Sequence, residues 1–257
     1  MSLKVSNLCY SYSSKFSLQD ISLCFHSSVT AVIGPNGAGK STMIKCIANI
    51  FKSSGDIYYM DKKISRSNRS FFAKNVGYLP QASRSDAAIT VFEAVLLGLM
   101  NTLTLRVSPG QTEEVNTMLE LFELQPLARR RINELSGGQL QMVLLAQAII
   151  KKPGILLLDE PLNNLDIHRQ FALLNLIGKL SRERNMITVI VMHDINLAAR
   201  YADNIVIMDQ GRLHSQGKPR RVITREMLKD IYKIESHVRL NGEGCPVIEF
   251  VDIAAGF

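Results

Sequence analysis

The sequence predicts an α/β fold built on a mainly parallel sheet, with an antiparallel β subdomain ahead of it and a helical subdomain inserted into it. Three observations carry this. A strand, a glycine loop and a helix follow one another between Val29 and Phe51. From Gln141 onward, short runs of aliphatic and β-branched residues alternate with longer helical patterns, the rhythm of a parallel sheet covered on both faces. Between these regions, residues 82–131 carry helical stripes and no strand signal. The 257 residues suit one domain, with a core of about 1–81 and 132–257 around a helical insertion of about 82–131.

The elements read in order. "LKVSNL" and "DISLCF" have the β-branched residues and polar breaks of an antiparallel edge sheet, and "VTAVIG" leads from it into a core strand. In "KSTMIKCIANIF", Met43, Ile44, Ile47 and Phe51 fall near helical spacing, so a helix is expected to follow the glycine loop at once. The insertion contains "TVFEAVLLGLM" and "QTEEVNTMLELFEL", the second with Val115, Met118, Leu119 and Phe122 on one stripe. Then come "QMVLLAQAII" (helix), "GILLLDE" (buried strand), "IHRQFALLNLIGKLSRER" (helix) and "MITVIVMHD" (buried strand). The tail from about Arg212 mixes a turn, a short helix in "TREMLKDIY" and a weak final strand in "CPVIEF".

Composition excludes several classes. No apolar run reaches the roughly 18 residues of a membrane span. The start, "MSLKVSNLCYSYSS", lacks the apolar core of a signal peptide, so a cytosolic location is expected. The four cysteines include no CxxC pair, which points to reduced structural thiols. The net charge of +7 is spread along the chain, with one cluster at Arg129 to Arg131. Nucleic-acid binding needs a stronger basic stripe, so no nucleic-acid partner is expected.

Two motifs carry chemistry. Gly34, Pro35, Asn36, Gly37, Ala38, Gly39, Lys40 and Ser41, followed by Thr42, fit the GxxxxGK[ST] pattern in full, between a strand and a helix. Glycines let backbone N–H groups curl around phosphate oxygens, and the helix N-terminus adds its dipole. Lys40 is placed to reach the β- and γ-phosphates of a nucleotide, and the Ser41 hydroxyl to ligate Mg²⁺. "ILLLDEP" ends a buried strand on two acids. Asp159 is suited to hold Mg²⁺ through water, and Glu160 to orient or deprotonate an attacking water. These motifs define a phosphate-loop NTPase core. A third stretch, "NELSGGQLQ", looks like a second phosphate cradle without a lysine. On its own residues it reads equally well as a glycine-containing N-cap at Ser136.

Taken together, these motifs resemble those of the nucleotide-binding subunit of an ABC transporter, over almost the whole chain and in the family's order. The phosphate loop is followed by a glutamine loop at "YLPQ" with Gln81, the signature "LSGGQ" at Leu135 to Gln139, Asp159 and Glu160, an "NNLD" loop at Asn163 to Asp166, and a switch His193. The resemblance implies ATP and Mg²⁺ as ligands and a head-to-tail homodimer, in which the signature of one protomer caps the ATP of the other. Ser136, Gly137, Gly138 and Gln139 then bind the partner's nucleotide, and Asp166 supports the partner's site. It further implies that Tyr12 stacks on adenine, Gln81 contacts Mg²⁺ and the attacking water, and His193 grips the γ-phosphate and positions Glu160. Two departures are visible. Leu140 and Met142 stand where the family often has basic residues after the signature, and the loop commonly written SALD is here Asn163-Asn164-Leu165-Asp166.

"TVFEAVLLG", "MHDINLAARYADNIVIMDQGRL" and the tail "IYKIESHVRLNGEGCPVIEF" look like importers of iron–siderophore, haem and cobalamin. That implies an ATP-hydrolysing subunit at the cytoplasmic face of the membrane, bound to integral permease subunits and served indirectly by a substrate-binding protein, with ferric siderophore or haem-type chelates as cargo. Zinc, manganese or cobalamin import is the alternative among importers. A soluble Fe–S cluster assembly ATPase is the alternative outside transport.

Overall fold

The computed structural model describes residues 1–13, 16–65, 68–81, 87–102 and 107–254. The start of the expected helical insertion, 82–86, therefore lies outside the described residues. The chain begins with β1 (Ser2–Ser13) and β2 (Phe16–His26), an antiparallel pair. β3 (Val29–Ile33) follows and runs into α1 (Lys40–Ile47). β4 (Ser54–Tyr59) and β5 (Lys62–Lys63) return to the first sheet, which has the order β2-β1-β4-β5. Then α2 (Arg69–Asn75) leads to β6 (Val76–Leu79). The helical part holds α3 (Val91–Leu96), α4 (Pro109–Leu121) and the start of α5 (Gly137–Ile150). The core resumes with β7 (Ile155–Leu158), α6 (Ile167–Glu183), β8 (Ile187–Val191), α7 (Ile195–Tyr201), β9 (Asn204–Asp209) and β10 (Arg212–Gly217).

The central sheet has the order β10-β9-β3-β8-β7-β6, and only the β9–β10 pair is antiparallel. Side chains alternate across a strand, so each strand feeds two apolar layers. Ala31, Ile33, Leu156, Leu158, Ile190 and Ile205 face the layer shared with α3 to α7. Val32, Ile155, Leu157, Val189, Val191 and Val206 face the layer shared with α1 and the antiparallel sheet. This double burial explains why β3, β7 and β8 are buried at every position and read as continuous apolar runs.

One expectation changes. The helix after the glycine loop stops at Ile47, and Phe51 lies beyond it, stacked on the Tyr10 ring at 5.0 Å. Its apolar spacing served an aromatic contact with the antiparallel sheet and not a fourth helical turn. The short strands β4 and β6 carried too little pattern to be read from sequence.

The tail adds α8 (Pro219–Val222), α9 (Arg225–Tyr232) and a hairpin of β11 (Ile234–Leu240) and β12 (Pro246–Ile253). It is built into the core. Met227, Leu228, Ile231 and Ile248 join the helical-face layer. The Asn196 carboxamide on α7 donates to the Ile248 carbonyl at 3.1 Å and accepts from the Ile248 N–H at 2.8 Å. A buried strand residue thus finds side-chain partners for both backbone groups.

Candidate active site

The parallel strands deliver their functional residues to one edge. Register pairs Leu79 with Leu158, Leu158 with Ile190 and Val32 with Val191, so the carboxyl ends of β6, β7, β8 and β3 lie side by side. Beyond those ends come Gln81, Asp159 with Glu160, His193 and the Gly34 loop. Sites in open α/β sheets form at such strand ends.

The glycine loop turns tightly there. Gly34, Gly37 and Gly39 have φ of 149°, 79° and 98°. A Cβ on Gly34 would strike the Met208 carbonyl, so no other residue fits that position without displacing β9. Gly39 begins α1 in a left-handed conformation with no side-chain cap, which leaves the first N–H groups of α1 without side-chain acceptors. Lys40 is buried, and its amine donates to the carbonyls of Gly34 at 2.7 Å and Pro35 at 2.9 Å. Burial lowers its pKa, and the Glu160 and Asp159 carboxylates oppose that shift.

Asp159 is fully buried. It accepts from the Ser41 hydroxyl at 2.7 Å through Oδ1, while its Oδ2 is buried with no partner. Burial raises its pKa, and the Ser41 hydrogen bond acts against the rise. An orphaned carboxylate oxygen beside a serine hydroxyl is a donor set that suits a hard divalent cation such as Mg²⁺, which takes oxygen ligands and keeps waters. The residues present fit that ion.

Glu160 sits in the left-handed region, φ 55°, a conformation that costs a non-glycine residue of order 1–3 kcal/mol and concentrates at functional sites. Its carboxylate is clasped. His193 Nε2 lies 2.7 Å from Oε1, Gln81 Nε2 donates to Oε2 at 2.9 Å, and Asn163 Nδ2 donates to Oε2 at 2.6 Å. A cavity of about 360 Å³ opens between Glu160 and the loop, walled by Asn36, Gly37, Gly39, Lys40, Ser41 and Thr42, with Tyr12 at its rim. Tyr12 is 55 % exposed, and its ring stands edge-on to Tyr10 and Phe51 at 5.0 and 5.2 Å. A flat aromatic surface is thereby braced at the mouth.

The structure brings Tyr12, residues 34–42, Gln81, Asp159, Glu160 and His193 to one place. Ser136 to Gln139 and Asp166 do not line that cavity. Ser136 caps α5 instead, in a capping box. Its Oγ accepts from the Gln139 N–H at 3.3 Å, and Gln139 Oε1 accepts from the Ser136 N–H at 3.0 Å. Asp166 caps α6, accepting from the Arg169 N–H at 2.9 Å. A Cβ on Gly138 would come within 2.9 Å of the Asn164 carbonyl, so this glycine is small first for its own chain. Sequence reasoning missed Asn163 and Gln141 as partners of Glu160. Asn163 stood within the noted NNLD departure, but nothing local told which way its amide would point.

Residues 18–163 match the ABC transporter family. An uncharacterized ABC transporter ATP-binding protein of Methanocaldococcus jannaschii is 38 % identical over 250 residues, covering 96 % of this chain and 97 % of that one. A hemin import ATP-binding protein of Shewanella denitrificans is 36 % identical, covering 85 % of this chain and 88 % of its own. Among solved structures, an inward-facing metal-chelate type ABC transporter superimposes with a TM-score of 0.82 at 26 % identity, covering 99 % of this chain and 98 % of that chain. A dimeric ATP-binding cassette bound to ADP and Pi superimposes with a TM-score of 0.76 at 27 % identity, covering 84 % of this chain and 98 % of that chain. With its glycine loop, its acid pair and His193 at one sheet edge, the chain belongs to the ABC transporter family as an ATP-binding subunit, an ATPase.

Proposed function

We propose that this ATPase powers import of an iron chelate, a ferric siderophore or haem-type complex, through integral permease subunits. The likeness to a hemin import protein and to a metal-chelate transporter supports the cargo class. In this reading the permease is a separate partner and the subunit is peripheral on the cytoplasmic face; no helix among the described residues is long and apolar enough to cross a membrane.

The clasped Glu160 at the mouth of the loop cavity carries the chemical part. Gly34 to Thr42 cradle the phosphates, and Tyr12 offers its ring to the adenine. Lys40 exchanges its two loop carbonyls for phosphate oxygens. Ser41 and Asp159 would hold Mg²⁺, which when bound would neutralise phosphate charge. Glu160 orients the attacking water and takes its proton, while His193 and Gln81 keep the carboxylate aimed. Two protomers pair head to tail, as the dimeric cassette supports. Ser136, Gly137, Gly138 and Gln139 then meet the partner's nucleotide, and Asp166 its surroundings. The Ser136 Oγ uses a lone pair for its cap, which leaves its proton free to donate across that interface.

Deleting the gene is expected to abolish growth on a ferric siderophore or haem as sole iron source, with matching loss of radiolabelled iron uptake. Normal iron uptake beside defective zinc, manganese or cobalamin uptake would move the cargo. Unimpaired transport of all of these would reject the import reading.

A further inference from the structure

The Glu160 side chain is held by three loops, but a single buried side chain reaches its peptide. We infer that Gln141 is a positioning residue that ties the signature helix to the hydrolytic carboxylate of its own chain. This rests on the reading of Glu160 as the group that activates water.

Gln141 lies on α5, five residues beyond Ser136, and is 1 % exposed. Its Nε2 donates to the Glu160 carbonyl at 3.1 Å, and its Oε1 is buried with no partner. An apolar side chain of the same length would avoid that orphaned oxygen, so burying the amide here costs stability. What the amide gains is a hold on a left-handed peptide, φ 55°, that the chain does not adopt easily. A second path runs in parallel. Gly138 packs against the Asn164 carbonyl, and the neighbouring Asn163 donates to Glu160 Oε2 at 2.6 Å. The first two turns of α5 therefore reach the Glu160 backbone directly through Gln141, and its carboxylate only through the Asn163–Asn164 turn against which Gly138 lies. The N-terminus of α5 is the part offered to the partner's nucleotide. Any tilt of that helix is delivered to the water-activating group of the other site, so Gln141 couples the two.

The test uses Gln141→Met, which keeps length and volume and removes both polar atoms, with Gln141→Leu as a second variant. The expected result is a kcat for ATP about tenfold lower, a KM within about twofold of wild type, and a melting temperature equal or higher. A merely structural residue would leave kcat unchanged, and that outcome overturns the inference, as would an effect confined to KM. Mixing decides the direction. In a dimer of Gln141→Met with Lys40→Ala, the one intact phosphate loop belongs to the chain carrying the methionine, so turnover should stay low. Recovery to the level of a Ser136→Arg plus Lys40→Ala mixture would mean that Gln141 acts only across the interface, and would overturn it. Glu160→Gln separates the two failures. If that variant still turns over, the reading of Glu160 fails. If it is dead while Gln141→Met is normal, only this inference fails.

Discussion

The phosphate loop and the signature loop both end at a helix N-terminus, and they are finished in opposite ways. At α1 the first residue in line is a left-handed glycine with no side-chain cap, beside a buried lysine. At α5 a serine and a glutamine cap each other's backbone N–H groups, and no lysine is near in sequence. An uncapped helix start with a cation is complete only when an anion arrives. A self-capped start is already stable and waits for a surface to meet. In the proposed head-to-tail dimer the first loop would be a site within one chain, and the second one half of a site.

The largest effect should separate them by affinity. Lys40→Ala is expected to raise the nucleotide Kd of the protein roughly tenfold to a hundredfold, the range of a charged hydrogen bond of about 1.5–3 kcal/mol. Ser136→Ala should leave that Kd within about twofold when titrated on the monomer. It should instead cost about 1 kcal/mol of stability through its lost cap. Equal losses of affinity in the two variants would erase the distinction.

Mixing sharpens it further. Ser136→Arg and Lys40→Ala homodimers should each be nearly inactive, because each carries two broken composite sites. The mixed dimer places both lesions in one composite site and leaves the other whole. Steady-state ATPase should return to about half of wild type if the sites are independent, and to less if they are coupled. If Ser136 served its own protomer's nucleotide, mixing would restore nothing. Measurements across mixing ratios, with heterodimer formation checked separately, distinguish the cases.

The smallest effect distinguishes the two signature glycines. Gly138→Ala should destabilise by about 1–3 kcal/mol in thermal melts, because its Cβ would press within 2.9 Å of the Asn164 carbonyl. Gly137→Ala meets only the Asn164 side chain, at 3.6 Å or beyond, and should fold normally. A reversed order would mean that Gly138 is small for the partner alone.

What the sequence disclosed follows from how local each feature is. The strand–loop–helix at Val29 to Ile47 was legible because glycine spacing and apolar runs are properties of neighbours in the chain. The order β9-β3-β8-β7 was not, since four equally apolar strands carry no label of who pairs with whom. The order of motifs singled out Gln81, Asp159, Glu160 and His193, which the sheet brings to one edge. The bonds from Asn163 and Gln141 to Glu160 depend on a left-handed turn at a glutamate, and nothing in the residue type announces that conformation. Phe51 misled because helical spacing and an aromatic contact on the other side of a turn place an apolar residue at the same position.

The docked tail bears on how the protein can be cut. The family match ends at residue 163, which invites trimming towards a minimal catalytic piece. Removing the segment from Ile234 onward would pull Ile248 out of the main apolar layer and strand the Asn196 amide on α7, the helix that starts two residues after His193. A shortened form with poor turnover would therefore report a damaged foundation and not a lost regulator. Purification handles attached beyond Ala254 leave that foundation in place.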